Sequence, residues 1–461
     1  MEKQNDNISR RDFIKTMAAS GAAVTGLAAC AGTSGGDAGS DSTGSGGMTY
    51  RTNPNTGDRV SLLGFGMMRL PFIKGRKADD GRGVIDQETV DRMVDYAIEH
   101  GVNYFDTSPA YCQGLSELAT GQSLSRYPRD RYLVATKLSN FSESTHSAEA
   151  SRQMYYDSLK FLKVDYIDYY LLHSLSNMDD FRKRYVDNGM MDFLMEERAA
   201  GRIRNLGFSY HGHKEFFDYL MSVHDRYHWD FVQIQMNYLD WEYAEKIKSK
   251  NTNADYMYYE LEKRNIPVVI MEPLLGGRLS RVPENIMEEF KEREPEMSVA
   301  SWAFRFVGSY PGVLTALSGM TRMEHLEDNL GTYSPLKPLT EDELAFLHHI
   351  AHMMMQFKTV PCNDCQYCMP CPYGIDIPGI LLHYNKCVNE DNIPTSSGSP
   401  EYRKARRAYL VGYDRSVPKL RQADHCTGCG QCNPHCPQGI DIPKELHRID
   451  AYIEKLKQET L

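Results

Sequence analysis

Nine of the eleven cysteines in this 461-residue chain fall between Cys362 and Cys436. Crowding of that kind excludes a disulfide framework spread along the chain and gives the thiols one local purpose. They form two motifs, Cys362-Asn-Asp-Cys365-Gln-Tyr-Cys368-Met-Pro-Cys371-Pro and Cys426-Thr-Gly-Cys429-Gly-Gln-Cys432-Asn-Pro-His-Cys436-Pro. The stretch Cys371-Pro-Tyr-Gly-Ile-Asp-Ile-Pro378 recurs 65 residues later as Cys436-Pro-Gln-Gly-Ile-Asp-Ile-Pro443 (436 − 371), so the tail is an internal repeat. Each terminal proline suits the first turn of a following helix.

The second motif has the Cys-x2-Cys-x2-Cys-x3-Cys-Pro spacing of a bacterial ferredoxin, and the first departs from it by one residue before Cys371. The resemblance implies two [4Fe-4S] clusters with crossed ligation. One would take Cys362, Cys365, Cys368 and Cys436, the other Cys426, Cys429, Cys432 and Cys371. Structural zinc also uses Cys-x2-Cys steps, but paired zinc motifs rarely carry a third step or a Cys-Pro end. Cys387 lies outside both motifs and reads as a packing residue.

At the other end, Ser9-Arg10-Arg11-Asp12-Phe13-Ile14-Lys15 precedes an apolar run of small residues over 16–29, too short to span a bilayer as a helix. This is expected to be a twin-arginine export signal. Leu27-Ala-Ala-Cys30 resembles a lipoprotein acylation box, so residues 1–30 would be removed or anchored, with Cys30 lipidated and the protein held in the periplasm or envelope; a plain signal with a free Cys30 is the alternative. Residues 31–57 read as a flexible Gly/Ser/Thr/Asp linker. The twin-arginine route carries folded proteins, which suits a cofactor assembled before export. A formal net charge of −10 excludes nucleic-acid binding through bulk charge.

Between these ends, short apolar runs alternate with amphipathic stretches. Candidate strands lie at 61–66, 103–106, 132–137, 166–173, 205–209, 231–235, 268–272 and 313–318, with helices between them at 87–100, 148–162, 190–200, 254–264 and 299–307. Eight such units in about 270 residues predict an α/β fold, a (β/α)8 TIM barrel over 58–335; an open doubly wound sheet uses the same alternation. Thr340-Glu-Asp-Glu343 has capping-box spacing and predicts a helix to about Met355, opening a tail over 336–461 that is small, α-helical and ferredoxin-like.

Asp106 ends the second strand, Lys137 the third and His173 the fourth, on the face where barrel active sites are built. Tyr111 lies in the loop leaving the second strand. A carbonyl reduction needs a proton donor for the developing alkoxide. Drawing a phenol near pKa 10 down by about 3 pH units takes about 4 kcal/mol, which a desolvated Lys137 held by Asp106 could supply. A buried Asp106–Lys137 pair that merely closes the barrel mouth is the structural alternative. Cys112 is either a redox-sensitive thiol at this opening or a plain loop residue.

Asn103-Tyr-Phe-Asp-Thr107 with Tyr111, Ser116-Glu117, Thr136-Lys137, Leu172-His173 and Gly201-Arg-Ile-Arg-Asn-Leu-Gly-Phe-Ser209 resembles the aldo-keto reductase family over about 60–330. With its tail, the chain is similar to the iron-sulfur branch of that family. The resemblance implies a catalytic tetrad of Asp106, Tyr111, Lys137 and His173, and NADPH or NADH lying across the barrel top. Ser209 and Gln233 would hold the nicotinamide carboxamide. Leu274, Ser318, Gly319, Met320 and Arg322 would also bind the nucleotide; Gly319 and His325 replace the basic residues that usually pair with a 2'-phosphate, for which Arg322 could substitute, and Asp328 and Asn329 match the adenine end. Met271 or Glu272 stands where a ring-stacking tyrosine is usual, and Tyr210 where asparagine is common. The implied activity is NAD(P)H-dependent reduction of a small aldehyde or ketone, with a redox partner protein for the clusters. The second reading is a non-catalytic nucleotide-binding electron-transfer or sensor subunit. The two are in tension over electron number, because a cubane cluster passes one electron at a time and a nicotinamide passes two as hydride.

Overall fold

The computed structural model describes residues 47–461, so the expected signal, the lipidation site Cys30 and most of the linker lie outside the described residues. Eight parallel strands close into a barrel: β1 Leu63–Gly66, β2 Tyr104–Asp106, β3 Leu133–Leu138, β4 Ile167–Leu175, β5 Ile203–Tyr210, β6 Phe231–Gln235, β7 Val268–Met271 and β8 Val313–Ser318. β8 pairs back onto β1, with Leu317 opposite Gly64. The TIM barrel is therefore the architecture, and the open sheet is excluded.

The barrel closes around side chains too large to leave a channel. Tyr104, Tyr169, Leu171, Phe231, Val269 and Leu314 form one buried cluster, in which the Tyr169 ring stands edge-on to Tyr104 and to Phe231 with centroids 5.0 Å away in each case. An antiparallel hairpin, Tyr50–Thr52 with Arg59–Ser61, plugs the amino-terminal end, where Asn53 hydrogen-bonds Tyr169 and Asn205 near the starts of β4 and β5. The opposite end is left to carry the site.

The outer helices start where side-chain caps are available. Asp86 accepts from the Thr89 amide, Ser147 from Ala150 and Ser298 from Ser301, opening Gln87–Glu99, Ala148–Leu162 and Val299–Gly308. Thr340 and Glu343 make the reciprocal capping box at the head of Glu341–Met354. That helix packs on the barrel: Phe346 lies 5.3 Å from Trp302 and 5.4 Å from Phe290, centroid to centroid. Beneath it Arg305, 2% exposed, spans Glu294 at 2.9 Å and Glu343 at 2.6 Å.

The repeated tail sequence builds two equivalent helix starts, Ile377–Asn389 with Pro378 and Ile442–Gln458 with Pro443, each in the first turn. With Tyr402–Ser416 they bury Leu381, Tyr409, Tyr413, Leu446, Ile449 and Ile453 in a core of their own. Cys387 is buried there, its thiol 3.4 Å from His383, in the packing role expected of it. Barrel and tail belong to one compact unit, and the tail lies across the carboxyl-terminal face of the barrel. Asn363 donates to Glu272 after β7 at 3.0 Å, Arg69 after β1 donates to the Asn363 carbonyl at 2.6 Å, and Gln438 donates to Gln235 at the end of β6 at 3.2 Å. At Gly276 the contact is closest: φ is +67°, and a Cβ there would stand 2.2 Å from the Asn363 carbonyl oxygen.

Two outcomes are expected. Arg305→Ala should lower unfolding free energy by about 3 kcal/mol in chemical denaturation, because it removes the buried cation shared by two partly buried carboxylates and leaves Glu294 to Lys337 at 3.7 Å and Glu343 to its cap. Gly276→Ala should cost about 1–3 kcal/mol through overpacking and speed hydrogen exchange over 361–368, since the added methyl displaces backbone rather than a flexible side chain.

Candidate active site

Parallel pairing sets the first two members side by side. Asp106 is opposite Ala135 and Lys137 is opposite Leu171, so the acidic end of β2 and the lysine two residues along β3 meet in the barrel mouth. The Lys137 ammonium, with no exposed side-chain surface, donates to Asp106 Oδ1 at 2.6 Å, Oδ2 at 2.7 Å and the Thr107 carbonyl at 2.8 Å. Burial pushes the Asp106 carboxyl up and the Lys137 ammonium down, and each opposes that shift in the other.

Tyr111 sits in the tight turn Tyr111–Gly114, in which Cys112 and Gln113 adopt left-handed φ values of 51° and 59°. Its ring lies under the Lys137 ammonium, 4.8 Å from nitrogen to centroid, and edge-on to His173 at 5.8 Å. The four expected tetrad residues thus converge. The electrostatics differ from expectation in one respect. Burial raises the Tyr111 phenol well above its usual value, and the negative charge available at Tyr367, Asp106 and Glu272 adds to the rise.

His173 is fixed by residues that carried no signal in the sequence. Its Nδ1 is 2.6 Å from Ser139 Oγ and 3.3 Å from Ser108 Oγ, its amide donates to the Tyr185 hydroxyl at 3.0 Å, and Arg184 donates to its carbonyl at 2.7 Å. Burial, with Lys137 and Arg184 adding, drives its pKa well below 6.5 and keeps the ring neutral. The Cys112 thiol donates toward the Met68 carbonyl at 3.2 Å and is pushed up to about 11 by burial, which favours the thiol over a reactive thiolate.

Tyr367, inside the first cysteine motif, closes the mouth. Its phenol is within hydrogen-bonding reach of Tyr111, and its ring lies 6.4 Å from Phe141, which in turn tilts over His173 at 4.9 Å. Its spacing within Cys365-Gln-Tyr-Cys368 says only that it sits in a ligand loop, so docking alone reveals it.

The cysteines fall into two sets. Cys436 is among the groups felt by Cys362, Cys365 and Cys368, while Cys371 stands with Cys426, Cys429 and Cys432. Among the described residues no three His, Cys, Asp or Glu side chains close tightly enough for a single metal ion. Sets of four thiolates are the donors an iron-sulfur cube uses, so the two groupings have the composition, three thiols of one motif with the last of the other, that crossed ligation would need.

The expected nicotinamide contacts divide. Ser209 and Gln233 are buried at the ends of β5 and β6, and Gln233 Oε1 has no hydrogen-bond partner, as a carboxamide cradle would require. Tyr210 is turned into the core, its hydroxyl donating to the His213 carbonyl. Ser318 accepts from Asn329 at 2.9 Å, Met320 is buried, and Arg322 and Asp328 are exposed, the latter accepting from Ser298 at 2.7 Å. Leu274 leads into the turn Leu275–Ser280, whose Gly276 abuts Asn363. Glu272, at φ 56°, is drawn to Asn363 and away from a ring-stacking position. With the tail docked, Asn363 lies against Gly276 on the β7 side and is held by Arg69, which packs on Gly319 after β8.

Residues 62–351 match the Aldo/keto reductase family, and residues 361–441 match a 4Fe-4S dicluster domain. An L-galactose dehydrogenase of Arabidopsis thaliana is 26% identical over 317 residues, 64% of this chain and 91% of that protein. An uncharacterized oxidoreductase of Bacillus subtilis is 24% identical over 62% of this chain and 92% of its own length. Among solved structures, the holo form of an aldo-keto reductase from Bacillus halodurans superposes with a TM-score of 0.52 at 23% identity, over 66% of this chain and 96% of that one. An aldo-keto reductase from Klebsiella pneumoniae in complex with NADPH gives 0.51 at 20% identity, over 66% and 95%. The barrel, its eight-strand closure and the family match over 62–351 agree: this chain belongs to the aldo/keto reductase family and carries a C-terminal 4Fe-4S dicluster domain.

Proposed function

We propose that the chain is an oxidoreductase that reduces the carbonyl of a small aldehyde or ketone at the barrel mouth, with Tyr111 as proton donor. The observation that carries this reading is the convergence of Tyr111, His173 and the Asp106–Lys137 pair beneath the tail. A buried, un-ionised phenol is the form that can give up a proton. As the proton leaves for the substrate oxygen, the ammonium 4.8 Å from the ring stabilises the phenolate that remains. Asp106 holds that ammonium in place, and the Thr107 carbonyl completes its donors. His173, neutral and oriented through Ser139, offers a ring nitrogen to the substrate oxygen without competing for the proton.

The dicluster domain supports one-electron chemistry, which its cysteine sets would bring to the site when loaded. Cys362, Cys365, Cys368 and Cys436 would hold the group nearer the mouth, because their loop carries Tyr367. Phe141 and Tyr367 would shield the substrate oxygen from water. The second reading, a non-catalytic subunit, is favoured by one feature, the closed mouth, and makes the opposite prediction for Tyr111.

Tyr111→Phe should lower carbonyl turnover by about a hundredfold or more while cluster content and the fold stay intact. Lys137→Met should lower it comparably, and unchanged product formation in both variants would leave only the non-catalytic reading. The sign of the pH effect follows from His173. Its pKa is depressed on folding, so below about 6.5 the unfolded chain binds the extra proton and stability falls with acidification, by up to about 1.4 kcal/mol per pH unit. His173→Gln should flatten that part of the stability profile measured by urea denaturation at stepped pH.

A further inference from the structure

Two segments expected to hold a dinucleotide, the turn after Leu274 and Ser318 to Met320, are bridged by the tail and by Arg69. Asn363, 3% exposed, places its amide on Glu272 at 3.0 Å and its carbonyl against Arg69 at 2.6 Å. One glycine in each segment is in close contact with this bridge. A Cβ at Gly276 would meet the Asn363 carbonyl carbon and Cα at 2.6 Å, and one at Gly319 would meet the Arg69 side chain at 3.1–3.3 Å. Arg69, a cation of the kind that pairs with phosphate, is turned to Asn363 and, at 3.4 Å, to Asp364.

We propose that Asn363 and Arg69 are the built-in occupants of this groove, so that the chain takes no nicotinamide and its barrel receives electrons singly from a one-electron donor protein through the cysteine-rich tail. The acceptor half of this statement rests on the carbonyl site proposed above. The balance is simple. Two donor molecules each lose one electron, Tyr111 supplies one proton to the carbonyl oxygen and recovers it from water, and a second proton from solvent completes the C–H bond, giving the alcohol. No hydride carrier is needed.

The test uses the full chain isolated without oxygen with its clusters in place. In equilibrium dialysis, binding of NADPH and of NADH should be weaker than about 1 mM. Hydrogen exchange over 361–368 and 272–279 should be unaffected by either nucleotide. Reduced methyl viologen should bleach the cluster absorbance, and neither nucleotide should. Co-purified nucleotide, a micromolar dissociation constant, a nucleotide-dependent change in exchange at the loop, or bleaching by NADPH would each overturn the proposal. The outcomes separate from those of the carbonyl site. Nucleotide binding removes the groove assignment and leaves Tyr111 in its role, whereas viologen-driven carbonyl reduction that survives Tyr111→Phe removes the carbonyl site and leaves the groove assignment standing.

Discussion

A lysine with no exposed surface keeps its charge only where the protein replaces the water it has lost, and at Lys137 two carboxylate oxygens and one carbonyl do so within 2.8 Å. Desolvating two ions costs several kcal/mol each, and the attraction between them offsets that cost only when the geometry is tight. Barrel closure provides the geometry, since β2 and β3 are neighbours in a register set by the whole ring of strands. Everything else at the mouth follows from this pair. The Tyr111 ring lies against the ammonium, His173 lies against the Tyr111 ring, and two serines orient His173.

Burial is what keeps the phenol a phenol: desolvation raises Tyr111 well above its usual value, and negative charge at Tyr367, Asp106 and Glu272 adds to the rise. The Lys137 ammonium, 4.8 Å from the ring, is the positive charge nearest a phenolate formed as the proton leaves. An interaction that strengthens as charge develops is the kind that contributes to the rate.

Much of this was legible in the chain itself. The alternation of apolar runs and amphipathic stretches marks all eight strands to within two residues at every end, because a buried parallel strand must be nearly continuous in apolar side chains. The capping-box spacing at Thr340 announces a helix that forms where expected. Asp106, Tyr111, Lys137 and His173 could be picked out because strand ends on one face of a barrel must converge. Ser108, Ser139, Arg184 and Tyr185 could not, since serine at a strand end is ordinary and the π-helical turn Arg182–Val186 carries no distinctive pattern. The expected lowering of the Tyr111 pKa is reversed by burial of the phenol, which the sequence does not show for a loop residue that the tail covers.

By itself the sequence determined the barrel, the repeated dicluster tail and the residue types of the site, because periodicity, motif spacing and strand-end placement are local properties of the chain. Only the tertiary structure decided where the tail lies. Asn363, Arg69 and Gly276 are separated by about 90 to 290 positions along the chain yet occupy one small volume above the barrel. Nothing in a ligand loop encodes the surface it will meet. That surface exists only after eight strands have closed and brought the β1 turn, the β7 loop and the end of β8 to the same rim, and the loop that fits there is what denies the rim to a dinucleotide.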